Sequence, residues 1–142
     1  MTLSEFVAKY KNRKVDYDLV YGAQCVDLFR QYCHEVLRIP HTGSVDGAKD
    51  LFLNYEYMPL ERKYFDCIPY DSENADIRPG DVIVWNETAT NKYGHVAIFL
   101  SNLRNREILV FEQDGFKQDG AKLSTRNLAN CLGILRFRGN VE

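Results

Sequence analysis

The sequence predicts an α+β fold, with N-terminal helices packed on a C-terminal antiparallel β-sheet. Three observations predict it. Helical periodicity is confined to the first part of the chain, apolar runs of strand length occupy the rest, and the two do not alternate as βαβ units would. The strand-like runs are rich in β-branched and aromatic residues. They are set off by turn signals such as Arg78-Pro79-Gly80.

The elements follow in order. Thr2 precedes Leu3, Phe6, Val7 and Tyr10 at helical spacing, so the first helix starts with a threonine cap. Residues 12–22 are polar and aspartate-bearing and read as a loop. From Gln24 to Arg38 the helical pattern returns, with Val26, Phe29, Cys33 and Val36 on one stripe. Ile39-Pro40 ends it, because a residue before proline avoids the α region. The run SVDGAKDLFLNY reads as a third, weaker helix with Ser44 as cap. Residues 58–74 are ambiguous, with an extended piece around Tyr64 to Ile68. Four strands come next: RPGDVIVWN, GHVAIFLS, REILVFEQD and LGILRFR. They are apolar on both faces, so they are expected to be central and buried.

A chain of 142 residues is read as one domain, residues 1–142. Hydrophobic residues make up 45% and charged residues 27%, with a net charge of −2, which places it in the folded globular class. There is no Lys/Arg block, so nucleic acid is not expected as a partner. The N-terminal MTLSEFVAKYKNRK lacks the apolar run of a signal peptide, and no stretch is long enough to span a membrane. No membrane partner is expected, and a monomer is. The four cysteines, Cys25, Cys33, Cys67 and Cys131, show no C-x-x-C and no zinc spacing, and are expected to be reduced.

Cys25 stands out because it sits one residue into its helix. Thiols ordinarily ionise near pH 8.5, and a helix N-terminus or an adjacent imidazolium favours the anion. The strands GHVAIFLS and REILVFEQD are joined by a short polar loop suited to an antiparallel hairpin. Counting outward from a turn centred near Leu103 and Arg104 places His95 directly opposite Glu112. A one-residue slip would put the two on opposite faces. Asp114 lies on the same face as Glu112, one step further on, and is a second candidate to orient the imidazole. Cys33 is read as a core residue, as are Cys67 and Cys131.

The ordered blocks YGAQCVDL, RPGDVIVW, YGHVAIFLS, VFEQDG and GILRFR resemble the CHAP domain, a cysteine- and histidine-dependent amidohydrolase/peptidase. The resemblance runs over nearly the whole chain. It implies a papain-like α+β fold and cleavage of amide bonds in bacterial peptidoglycan, within the stem or cross-bridge or between muramic acid and L-alanine. By it, Cys25 resembles the nucleophile, His95 the base and Glu112 the orienting carboxylate. Asp114 stands where the family's EQN has asparagine. Cys25 N–H is expected to hold the oxyanion, with Gln24 as a candidate second donor.

Residues 16–27, DYDLVYGAQCVD, carry carboxylates at loop positions 1, 3 and 12, namely Asp16, Asp18 and Asp27. Val20 and Gly22 could add only backbone carbonyls. Hard oxygen ligands at these spacings suit Ca2+. The loop departs from an EF-hand, having Tyr21 at position 6 and Asp at position 12. Some phage-derived members of the family bind calcium here, and the ion is expected to act structurally.

The expected function is a peptidoglycan hydrolase using a Cys-His-Glu thioester mechanism, as a bacteriophage endolysin or virion-associated lysin. It would be made in a host cytoplasm and act on the wall after release, or be carried in the virion. The rivals are a non-catalytic wall-binding or phage structural module, and a cysteine amidase of small amides. The substrate groove is expected along residues 46–57 and 86–93.

Overall fold

The computed structural model describes residues 1–19, 22, 24–40, 45–73 and 76–142. Helix α1 spans Leu3–Tyr10 and is capped as the sequence predicts. Thr2 Oγ1 accepts the Glu5 N–H at 3.1 Å, and Glu5 returns the bond to the Thr2 N–H at 2.9 Å. Helix α2, Cys25–Tyr32, runs directly into a π-helical turn, Cys33–Leu37. It stops one residue short of the expected end, because Arg38 is left-handed at φ 56°. The expected third helix shrinks to α3, Asp50–Leu53, and its proposed cap Ser44 lies outside the described residues. Within the ambiguous segment, α4 (Pro59–Tyr64) opens on a proline, where the missing N–H is no loss. It leads straight into β1, Phe65–Pro69.

The other strands are β2 (Val82–Trp85), β3 (His95–Asn102), β4 (Glu107–Gln113), β5 (Ala121–Asn127) and β6 (Cys131–Phe137). They form one antiparallel sheet in the order β1-β6-β2-β3-β4-β5. The four strands read from sequence are the central ones. Of the two edges, β1 is the extended piece expected around Tyr64 to Ile68, and β5 is unread. Edge strands bury less and carry more polar residues, so their apolar signal is weak. β5, AKLSTRN, alternates between buried or half-buried and exposed positions.

The sheet is packed on both faces. Val84, Val96, Ile98, Phe111 and Leu135 meet the helices through Phe6, Leu28, Phe29 and Tyr32. Phe6 meets Phe111 edge-on, with ring centroids 6.0 Å apart. The opposite face carries a second cluster built on Ile83, Trp85, Ala97, Phe99, Val110 and Ile134. Because strand side chains alternate, His95 and Glu112 share this second face, while Gln113 points to the helices.

The β3–β4 hairpin corrects the expected register. The turn sits two residues later than the sequence count placed it. Asn105 and Arg106 both take φ 59°, and Glu107 N–H donates to Arg104 O at 3.2 Å. Near the turn, Asn102 faces Ile108 and Ser101 faces Leu109. Beyond a bulge at Leu100, Phe99 faces Val110 and Ile98 faces Phe111. Continued, the near-turn register would set His95 and Glu112 on opposite faces. The extra residue restores the shared face. The Ile98–Phe111 register, carried on past its last pair, would line Ala97 up with Glu112, so His95 and Glu112 meet on a diagonal rather than head-on.

Candidate active site

Gln24 is the N-cap of α2 and Cys25 its first residue. Asp27 Oδ2 accepts the Gln24 N–H at 2.9 Å, and the Gln24 carbonyl accepts from Asp27 N at 3.1 Å and Leu28 N at 3.4 Å. The first amides of a helix have no intrahelical acceptor, so the Cys25 N–H points out of the helix start toward whatever lies at its mouth.

His95 opens β3 and pairs with Trp85 of β2, their rings 5.6 Å apart. Gly94 delivers it. With φ 73°, this residue takes a backbone conformation that favours glycine, and a Cβ there would strike the Trp85 carbonyl and approach Lys49 Cβ to 2.8 Å. The imidazole reaches Cys25 on one side and Glu112 on the other. Its Nε2 lies 3.0 Å from Glu112 Oε1, and the Cys25 sulfur, which lines the same groove, favours the charged form of the ring. With Nε2 committed to the carboxylate, Nδ1 is the nitrogen left for sulfur.

Glu112 is buried, 3% exposed, and held twice. Besides His95 it takes a fork from Arg126 of β5: Nε to Oε1, and Nη2 to Oε2 at 3.2 Å. Arg126 also lies over the Trp85 ring, 5.5 Å from its centroid. Lys122, which directly faces Glu112 across the strands, turns instead to Asp119 at 3.0 Å.

The electrostatics follow. Burial works against charge on His95, but its hydrogen bonds to Cys25 and Glu112 outweigh that and lift its pKa to about 9; Arg126 pulls the other way. Burial likewise disfavours the Glu112 carboxylate, yet the bonds from His95 and Arg126 bring its pKa down to about 2. At neutral pH this is an imidazolium on a carboxylate, beside the Cys25 sulfur.

The remaining residues singled out in the sequence are placed as follows. Asp114 does not orient the imidazole. Its Oδ1 accepts from Phe116 N at 2.8 Å and Lys117 N at 3.4 Å, closing its own Asx turn, whereas the imidazole's bond goes to Glu112. Cys33 is 1% exposed and pushed up by burial, so it stays a neutral core thiol. Asp16, Asp18 and Asp27 converge, each offering an oxygen within 4.8 Å of the others. Val20 lies outside the described residues.

Two grooves meet at His95. One, about 640 Å³, runs past Cys25, Asp46, Gly47, Tyr93 and Phe116. The other, about 670 Å³, runs past Trp85, Asn86, Thr88, Arg126 and Asn130. The expected lining from residues 46–57 is reduced to its first few positions; residues 86–93 contribute to both.

Two residues escaped sequence reading. Arg126 sits in the unread edge strand. Gln113 stands between the two acids and is fully buried. Its only signal was its place in the EQD triplet, because a buried amide looks like any other glutamine in one sequence.

A helix-borne thiol, a strand-borne imidazole and a buried carboxylate on an antiparallel sheet define a Cys-His-Glu cluster within an α+β frame. The CHAP domain family matches residues 13–114, more than two thirds of the chain, and the protein belongs to that family. Its fold is similar to that of a wild-type endolysin, LysIME-EF1, with a TM-score of 0.73 and 22% identity, over 96% of this chain and 64% of that one. It is also similar to Ly7917, with a TM-score of 0.60 and 14% identity, over 80% of this chain and 53% of that one. The chain thus spans less than two thirds of either of these structures. Among the described residues, no helix is long and apolar enough to cross a membrane.

Proposed function

We propose that the protein is a peptidoglycan hydrolase that cleaves amide bonds of the bacterial cell wall through a thioester on Cys25. The observation that carries this reading is the Cys25–His95–Glu112 relay, with Nε2 of His95 3.0 Å from the buried carboxylate. Membership of the CHAP family and the likeness to an endolysin fold support it; the finer reading is a phage lysin that acts on the wall as a monomer.

The steps follow from the groups present. The reacting state is a Cys25 thiolate beside the His95 imidazolium, and the thiolate attacks the amide carbon, moving the carbonyl π pair onto oxygen. The Cys25 N–H at the helix start donates to that oxyanion. The Gln24 backbone is already committed to Asp27 and Gln113, so its side chain, which lines the groove, is the second donor to test. Collapse expels the amine, which takes its proton from His95. His95 then deprotonates water, and water opens the thioester to acid and free Cys25. Glu112 keeps the ring in place and its cation stable throughout.

The acidic loop fits calcium. Asp16 Oδ1 is buried and makes no hydrogen bond, and Asp27 is raised to about 6 by burial, then by Asp18 and Asp16. A hard cation would satisfy both. Asp16, Asp18 and Asp27 would hold it, with the Gly22 and Val20 carbonyls as further candidates. Arg30 already sits 2.8 Å from Asp18 and tempers the negative charge. The ion would supply a structural tie between the loop and the first turn of α2.

Zymography on purified peptidoglycan, wild type beside Cys25→Ala, tests the reading. Clearing lost in the variant supports it; equal clearing by both, or none by either, overturns it. Mass spectrometry of the products assigns the bond: new stem or bridge N-termini mean endopeptidase, free lactyl carboxylates mean amidase.

A further inference from the structure

β4 presents consecutive residues to opposite faces of the sheet. Glu112 reaches His95 on one face. Gln113, on the other, has every part of its amide engaged. Its Oε1 accepts the Val15 N–H at 2.8 Å. Its Nε2 donates to Val15 O at 2.7 Å and to Gln24 O at 2.8 Å. The orientation is forced, because a flipped amide would set its oxygen against two carbonyls and its N–H2 against an N–H.

Gln24 is the cap residue of α2 and the immediate neighbour of Cys25. Its carbonyl is where the helix begins to hydrogen-bond, so fixing that oxygen fixes the height and direction of the first turn. Val15 adjoins the acidic loop. One side chain thus pins both ends of the segment leading into α2, and pins them to the strand that holds the imidazole's partner. We propose that Gln113 is a positioning residue that sets Cys25 against His95, so that the dipeptide Glu112-Gln113 locates both halves of the reacting pair from one strand. The inference rests on Cys25 being the nucleophile.

The physical reason is the short range of the reaction. A displacement of about 1 Å in a reacting group can cost about a hundredfold in rate. A strand with hydrogen bonds on both sides is a stiffer reference than the loop that precedes α2. A glutamine is suited to the task, since two carbonyls and one N–H need two donors and one acceptor at one point, without charge.

Gln113→Met keeps the length and removes all three bonds. Gln113→Glu keeps the shape and the acceptor for Val15 but loses both donors. Ile83→Val, in the core on the opposite face, is the stability control. Three quantities are read well below the melting temperature: kcat and KM on purified peptidoglycan, and the rate of Cys25 alkylation by iodoacetamide located by peptide mapping. In both Gln113 variants kcat is expected to fall about 10- to 100-fold with KM within about twofold. Alkylation is expected to slow several-fold, and the control to leave all three unchanged. In wild type, the Gln113 amide protons are expected to exchange with solvent far more slowly than those of an unprotected glutamine.

A folded Gln113 variant with wild-type kcat and alkylation overturns the proposal. So does a loss matched by Ile83→Val at equal destabilisation, or rapid exchange of the wild-type Gln113 amide. Retained activity in Cys25→Ala would instead overturn the nucleophile assignment, and the two failures are therefore distinct.

Discussion

Cys25 and Cys33 lie in one continuous helical run, two turns apart, and carry the same thiol. Cys25 opens α2 and lines one groove together with the His95 imidazole. Cys33 begins the π-helical turn, 1% exposed, packed in the core and pushed up by burial. Neither the residue nor the helix separates them. What separates them is that one end of the helix faces the open rim of the sheet, where Gly94 brings in His95, while the other is sealed by the core. A thiol becomes a reagent where a cation and a helix start converge on it, and remains a small apolar group where they do not.

The largest expected difference between the two is in turnover. Cys25→Ala should reduce peptidoglycan cleavage by at least about 10⁴-fold, as for loss of other nucleophiles. The melting temperature should hardly move, and a turbidity assay beside a thermal melt checks both.

Glu112→Gln should come next, with a loss of about 10²- to 10³-fold, comparable to removing other preorganised groups. It also carries a pH signature. In wild type His95 keeps its proton to about pH 9, so activity that needs the imidazolium is expected to fall as pH rises through that value. Removing the carboxylate takes away a cause of the upward shift, so the basic limb should move down toward the ordinary histidine range. A basic limb left near 9 in the variant would contradict the pairing. The same shifts govern stability. The raised His95 pKa stabilises fully below its unfolded value and is lost as pH rises through about 9. The lowered Glu112 pKa stabilises fully above its unfolded value and is lost as pH falls through about 2. The pair's contribution should therefore be greatest between the two unfolded values, about pH 4.5 to 6.5, which thermal melts across pH will show.

Arg126→Met should have a smaller effect, several-fold in rate. Arg126 lowers the His95 pKa, so its loss should push the basic limb upward, opposite in direction to Glu112→Gln. Chelation of calcium should lower the melting temperature and slow Cys25 alkylation while leaving Cys33 untouched; an unchanged melt would remove the metal. Cys33→Ser should change activity per folded molecule least, within about twofold, while costing about 1–3 kcal/mol for a poorly satisfied buried hydroxyl. Denaturant unfolding measures that cost.

The contrast also shows how much of the site was legible in advance. The thiol's place could be read because a helix start has a local signature: polar loop, cap, then an apolar stripe. His95 and Glu112 could be proposed as partners because a short hairpin links them, but the stated alignment was wrong in detail. The turn lies later, and a bulge at Leu100 restores the shared face. A bulge leaves little trace in sequence, since one extra apolar residue in an apolar strand changes no pattern. Asp114 and Glu112 looked interchangeable on paper. The imidazole's bond goes to Glu112, while Oδ1 of Asp114 closes its own turn.

Local chemistry was enough for the threonine cap, the central strands, the start of α2 and the run of three aspartates. Each of these depends on residues a few positions apart, where sterics, capping and apolar periodicity act directly. The edge strand β5, the bulge, the Arg126 fork on Glu112 and the buried amide of Gln113 belong to the folded molecule alone. They join segments up to 98 residues apart, and such contacts are chosen by the packing of the whole sheet, which no single stretch of chain encodes.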